Sequence, residues 1–184
     1  MKKVFTVMAV AVSIASASSL YGQNMYISSN LLDYLNLGTI NAEFGLSPAP
    51  KWTIYLRARY NPFTFNFGKQ IQNRVAGAGA GARYWFWYSN SGWFIDSGIT
   101  LSRYNTGGII DRYAYEGDAA GIGIGAGYAL MLGKRWNLNL GLGVQGGYTS
   151  YIKYGCPKCG KVEGRFEKFY VAPYNVMVQL LRLL

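Results

Sequence analysis

The chain has no histidine, two cysteines and only eight acidic side chains in 184 residues. Without histidine, Ser/His and Cys/His relays have no base. Two cysteines alone cannot complete a four-ligand structural zinc site. No enzymatic activity, cofactor or metal is therefore expected. Charged residues make up 14%, against roughly 25% in soluble domains. Beyond residue 22 no uncharged apolar run approaches the roughly 20 residues of a membrane helix, and no segment sustains a helical period.

Glycine and aromatics are abundant instead, with 24 Gly, 16 Tyr, 9 Phe and 5 Trp. The first residues, Met1, Lys2 and Lys3, precede an apolar and small-hydroxyl run from Val4 to Ala17. A basic start, a short apolar stretch and small residues read as a cleaved signal peptide over 1–22, with cleavage after Ala17 or Gly22. The remainder, 23–184, has a one-domain length. It is basic, but its cations are dispersed along alternating segments and export removes it from cytoplasmic nucleic acid, so nucleic acid is not an expected partner.

Period-two alternation recurs along the chain. Trp52, Ile54, Leu56, Ala58 and Tyr60 share one face against Thr53, Tyr55, Arg57 and Arg59. Trp136, Leu138, Leu140, Leu142, Val144 and Tyr148 oppose Asn137, Asn139, Gly141, Gly143, Gln145 and Gly147, and Gly121, Gly123, Gly125 and Gly127 alternate with Ile122, Ile124, Ala126 and Tyr128. Tyr170, Ala172, Tyr174, Val176, Val178 and Leu180 form a further apolar set against Asn175 and Gln179. Glycine is poor in ordinary strands, and its restriction to one face indicates a crowded interior behind a greasy exterior. Short links at 47–51, 89–92 and 133–134 alternate with longer ones at 61–72, 105–117 and 152–165, as periplasmic turns and extracellular loops do. Adding a strand at 25–31 gives the expected fold: all-β, an eight-stranded antiparallel up-and-down transmembrane β-barrel in the outer membrane, both termini periplasmic.

Aromatics should then collect at both membrane interfaces. Trp52, Phe86, Tyr88, Trp93 and Trp136 are expected outward at the periplasmic ends, and Tyr60, Tyr148 and Tyr170 outward at the opposite ends. Trp136 and Tyr148 are about 40 Å apart along a strand at ~3.3 Å per residue. After a tilt near 40° this is roughly 30 Å of height, close to the apolar band. Arg74, Arg103 and Lys168 share the outward parity at extracellular ends. They are candidate contacts for lipid A phosphates of lipopolysaccharide, with snorkelling as the plainer account.

Glu43, Arg57, Arg59, Arg83 and Asp96 are expected inside as an ion network. Counting out from the short hairpins sets Glu43 opposite Tyr55 and diagonal to Arg57, and Arg83 diagonal to Asp96, within reach of long side chains. Glu43 and Asp96 fall on different hairpins, so no acid/base carboxylate pair is expected. An eight-stranded interior is just wide enough for side chains to fill, which favours a plug over a pore. Cys156 and Cys159 form C-x-x-C in the last long link. A loop-clipping disulfide is the expectation in an oxidising compartment, with metal or redox roles as alternatives.

Asn30-Leu31-Leu32, Tyr60-Asn61-Pro62-Phe63, Arg83-Tyr84-Trp85-Phe86, Asn105-Thr106-Gly107-Gly108, Leu132-Gly133-Lys134-Arg135-Trp136-Asn137-Leu138 and Cys156-Pro157-Lys158-Cys159-Gly160 together resemble domain of unknown function 3575, an exported family of the Bacteroidota. The resemblance covers the mature chain. It implies a small outer-membrane barrel without an established activity, with a hint of surface or fimbrial assembly. The final Leu183-Leu184 departs from the aromatic end common to such barrels. The expected role is structural or surface-interacting, with outer-membrane lipid and a surface protein or polysaccharide at the loops as partners. The alternatives are a narrow channel or carrier, motivated by the glycine-lined face, and then a lipid-acting membrane enzyme.

Overall fold

The computed structural model describes residues 25–67, 69–108, 113–156 and 160–184. The expected signal peptide lies outside them. Among the described residues nine strands form: β1 (Met25–Asn30), β2 (Ile40–Ala49), β3 (Trp52–Asn61), β4 (Thr64–Phe67), β5 (Lys69–Trp85), β6 (Gly92–Gly107), β7 (Ala114–Met131), β8 (Trp136–Tyr154) and β9 (Val162–Leu183). A five-residue helix, α1 (Leu31–Leu35), follows β1, and the Asn30 side chain caps it by accepting from the Leu32 N–H. Every strand pairing is antiparallel, in the order β3-β2-β1-β9-β8-β7-β6-β5-β4, and β3 also pairs with β5. Eight strands thus close into a ring, and β4 folds back onto the start of β5. The ninth strand corrects the expectation of a plain loop at 61–72, because Thr64 and Phe65 extend a ladder that β5 carries past the end of β3.

The two other long links also shorten. β6 and β7 stay paired out to Gly107 and Ala114, and β8 and β9 out to Tyr154 and Val162. Turns between β2 and β3, β5 and β6, and β7 and β8 gather at one end with the start of β1 and the end of β9. Main-chain bonds tie that end together, including Trp85 N–H to Lys51 O at 2.9 Å and Leu183 N–H to Arg135 O at 2.9 Å.

Sidedness follows the pleat, because alternate side chains point to opposite faces. Leu142, Ile122 and Ile124 stand outward at 66, 68 and 57% exposure, while Asn137, Asn139 and Thr53 are buried inside. The ring is an inside-out protein, with aliphatic side chains around its outer wall and amides, hydroxyls and ions within. Inner glycines make room for neighbouring rings. A Cβ at Gly45 would overlap Tyr26, one at Gly123 would overlap Tyr174, and one at Gly127 would overlap Phe94.

One strand breaks the pleat. Asn175 adopts φ +52°, and the β8–β9 register slips between Gly141 and Gly143. Such a bulge adds a residue and flips the facing of everything beyond it. Tyr174 is therefore buried and Val171 is exposed, which corrects the expectation that Tyr170, Ala172 and Tyr174 face outward.

Candidate functional site

Arg83 is fully buried at the centre of the lumen. Its Nη2 lies 3.0 Å from Glu43 Oε1 and its Nε lies 3.0 Å from Asp96 Oδ2. Its Nη1 donates to the Tyr26 hydroxyl at 2.9 Å, and that hydroxyl donates to Glu43 Oε1 at 2.8 Å. Asp96 also accepts from Tyr55 Oη at 3.2 Å and from Asn175 Nδ2 at 2.8 Å. The bulge at Asn175 turns that amide into the lumen, where its oxygen also accepts from Arg57 Nη1 at 3.0 Å. Two carboxylates and two guanidiniums thus balance in charge, which a buried cluster requires.

The register of this cluster differs from the sequence expectation. Glu43 stands directly opposite Arg57, and Arg83 directly opposite Asp96. The first hairpin reverses at Pro50 and Lys51, with an irregularity between Leu46 and Ala49. The second closes at Ser89 and Asn90, and Asn90 takes φ +63°. Each turn therefore sits about one residue pair away from the assumed place, shifting opposite partners by two. Curvature of the ring then brings Glu43 and Asp96, which lie on different hairpins, onto one arginine. Sequence reasoning missed Tyr26, Tyr55, Tyr174 and Asn175. Tyr26 and Tyr55 occupied inward positions, but nothing in the pattern identified their partners across the lumen.

Below the cluster, toward the short turns, Trp85, Phe94, Ala129 and Met177 make a buried apolar contact set, and the Trp85 and Phe94 ring centroids lie 4.8 Å apart. Trp85 Nε1 donates to Thr53 Oγ1 at 2.9 Å. Ions and rings are thus packed and buried together at this end of the ring. Above the cluster a polar cavity of about 170 Å³ is lined by Arg57, Arg59, Asn41, Asp33, Gln145 and Asn175 among others. Arg59 packs its stem over Gly77 and forms no ion pair among the described residues. It stands outside the network in which it was expected. Asp33, on α1, brings a carboxylate to the same cavity as Arg57 and Arg59.

On the outer wall Trp52, Phe86, Tyr88, Trp93 and Trp136 are exposed at the short-turn end, and Tyr60 and Tyr148 toward the other. Tyr84 joins the first group, its ring 5.1 Å from Trp52 and 5.8 Å from Phe86. Tyr170 is the exception: its hydroxyl meets the Cβ positions of inner-face Gly121 and Gly147, so the bulge has turned it into the lumen.

The three candidate phosphate contacts separate. Arg74 is exposed and donates from Nε to Thr64 Oγ1 at 3.1 Å. Arg103 is engaged by Asp118 at 2.8 Å on the same outer face. Lys168 pairs with Thr149, which is buried within the ring, and its ammonium lies 5.3 Å from the Tyr151 ring. It therefore belongs to the inner register at the rim, not the outer wall as expected, for the same bulge reason. Cys159 lies outside the described residues, and with it the expected cystine; Cys156 follows the end of β8.

Among the described residues no cluster of three metal-ligating side chains occurs. The family model for a protein of unknown function, DUF3575, matches residues 5–184. No curated protein and no solved structure matches the chain.

Proposed function

We propose that this chain, which belongs to the DUF3575 family of proteins of unknown function, is an exported β-barrel of a Bacteroidota outer membrane with a structural or surface-interaction role. The observation that carries the reading is the outward aliphatic wall bounded by aromatics, over a ring of antiparallel strands that closes between β1 and β9 through five residue pairs. A bilayer requires backbone polar groups to be satisfied within the protein, which closed rings achieve. Water would instead leave Leu142, Ile122, Ile124, Leu101 and Val144 stranded at 57–68% exposure.

In this reading the short turns, the start of β1 and the end of β9 face the periplasm, and the ladder ends at Gly107, Ala114, Tyr154 and Val162 face outside. Loops on a rigid scaffold are where recognition concentrates, so a surface protein or acidic polysaccharide would bind there. The C-x-x-C segment would be clipped by a disulfide, and Arg74 would meet lipopolysaccharide phosphate. The Arg83 cluster and the Trp85 and Phe94 rings below it favour a non-conducting barrel over a channel.

Folding into phosphocholine vesicles tests the architecture. The folded chain should migrate faster on an unheated gel than after boiling, and spin labels at Leu140 and Ile124 should be relaxed by oxygen dissolved in lipid. Labels there that respond to aqueous nickel would refute the membrane placement. In planar bilayers the purified barrel should give no unitary current steps, and reproducible steps would restore the channel.

A further inference from the structure

The wall is uneven in height. β1 has 6 residues, whereas β9 has 22. Their ladder runs only from Tyr26↔Leu183 to Asn30↔Gln179. Above it, β9 from 162 to 178 is laddered to β8 alone. On β9 the level of Trp136 is Arg182, and that of Tyr148 is Phe169. The part of the unladdered edge from 169 to 178 therefore lies between the two aromatic levels, at the depth where exposed backbone is costly.

Local devices manage this edge. Asn30 extends the ladder with its side chain, donating to Val176 O at 3.1 Å and accepting from Val178 N–H at 3.1 Å. Asn41 does the same toward β1, accepting from Asn30 N–H at 2.7 Å and donating to Asn30 O at 2.9 Å. Beyond Val176 come the Asn175 bulge and Pro173, which has no N–H to leave unpaired. Proline and bulges are characteristic of strand edges. α1 stands in the gap, presenting Leu31 and Leu35 outward.

Two cavities of opposite character lie on the two faces of the sheet here and share Pro173 in their linings. Inside is the polar cavity of about 170 Å³. Outside is an open hollow of about 720 Å³, walled by Ile95, Ile124, Leu142, Val144, Val171 and Pro173. The polar cavity holds two arginines. Arg57 shares Glu43 at 3.5 Å, yet its Nη2 is buried without a hydrogen-bond partner among the described residues. Arg59 has no ion pair among them. Glu43 also borders the cavity, but its oxygens are engaged by Arg83, Arg57 and Tyr26. Asp33 is the remaining carboxylate at the mouth.

We infer that the free edge of β9 is a lateral port where an anionic single-chain amphiphile binds, its carboxylate or phosphate head held by Arg57 and Arg59 and its tail lying in the outer hollow. The inference rests on the membrane-barrel reading. The plug beneath makes the site a dead end, so a ligand arrives from the bilayer or the outside and leaves the same way. A charged hydrogen bond to an anion accounts for the affinity of the head, and apolar burial for that of the tail.

The test uses the chain folded in dodecyl maltoside micelles, with 11-dansylaminoundecanoate as a fluorescent probe. The probe should bind and be displaced by dodecanoate and dodecyl phosphate, the relative strengths naming the preferred head. Inorganic phosphate and dodecylphosphocholine should not displace it. Arg59→Gln, which leaves the Arg83 cluster intact, should weaken binding about tenfold, as loss of a charged hydrogen bond does. Asp33→Asn should tighten it. Displacement by inorganic phosphate at equal concentration, or unchanged affinity in Arg59→Gln, would overturn the inference. So would no probe binding by a chain that still shows heat-modifiable mobility, and in that case the barrel reading stands. A chain without that mobility shift refutes the barrel reading itself.

Discussion

Replacing Arg83 by Met is the sharpest perturbation of the lumen, because the side chain is fully buried and contacts two carboxylates at 3.0 Å each. Met preserves apolar volume while removing the cation, so cavity formation contributes little. Breaking a buried pair by deleting one partner costs about 3–5 kcal/mol, since a buried charge is left uncompensated. The surviving partners place this case toward the lower end of that range. Glu43 keeps Arg57 at 3.5 Å and the Tyr26 hydroxyl at 2.8 Å. Asp96 keeps Asn175 at 2.8 Å and Tyr55 at 3.2 Å but loses its paired cation. The cluster falls from neutral to one net negative charge, and Asp96→Asn added to Arg83→Met restores the balance. We expect Arg83→Met to lose about 3 kcal/mol and the double variant to recover at least about 1 kcal/mol of it, a coupling of the size seen between contacting residues. Urea unfolding in phosphocholine vesicles, followed by tryptophan fluorescence, measures both. A single variant within about 1 kcal/mol of the parent, or a double variant showing the plain sum of the two losses, would refute the account.

Three further outcomes follow from the same geometry. Gly123→Leu should prevent folding into vesicles or cost several kcal/mol, because even a Cβ there overlaps the Tyr174 ring; a fully stable variant would place Gly123 off the inner face. Of the three cations, Arg74→Gln should reduce co-purified lipopolysaccharide most, since Arg103 is already paired with Asp118 and Lys168 lies over Tyr151; equal losses from all three would restore them as one phosphate site. Mass measurement before and after reduction should show Cys156 and Cys159 joined, and replacing both by Ser should cost less than about 2 kcal/mol, because the loop they close is so short; two alkylatable thiols in untreated protein would remove the disulfide.

Facing was legible where a strand ran unbroken. On β3, β7 and β8 the period-two pattern assigns inner and outer residues as the structure has them, because a pleat leaves only two choices. Register was less legible, since it depends on which two residues make a turn. Pro50 with Lys51 and Ser89 with Asn90 each move partners by two positions, turning two expected diagonals into direct pairs. β9 was misread from its middle toward its start, and a local signal was present there. Proline followed two residues later by asparagine within an otherwise regular strand marks an edge or a bulge, and respecting it would have sent Tyr170 and Tyr174 inward. Tyr26 and Tyr174 could not be joined to Arg83 from sequence, because contacts across a lumen depend on closure and shear rather than on spacing along the chain.

The distribution of strand length bears on function more directly than the ion cluster does. A plug at the short-turn end needs only the lower part of each strand, yet β5 to β9 continue for 16 to 22 residues, well beyond the level of Tyr148. β1 to β3 stop at 6 to 10 residues. Long ladders stiffen the ends they reach, so the tall side holds Gly107 against Ala114 and Tyr154 against Val162 in paired register. On the low side α1 borders the polar cavity and contributes Asp33 to it. Under the proposed reading, a barrel that only anchors in a membrane gains nothing from that asymmetry, whereas one that binds a ligand at its low side uses it.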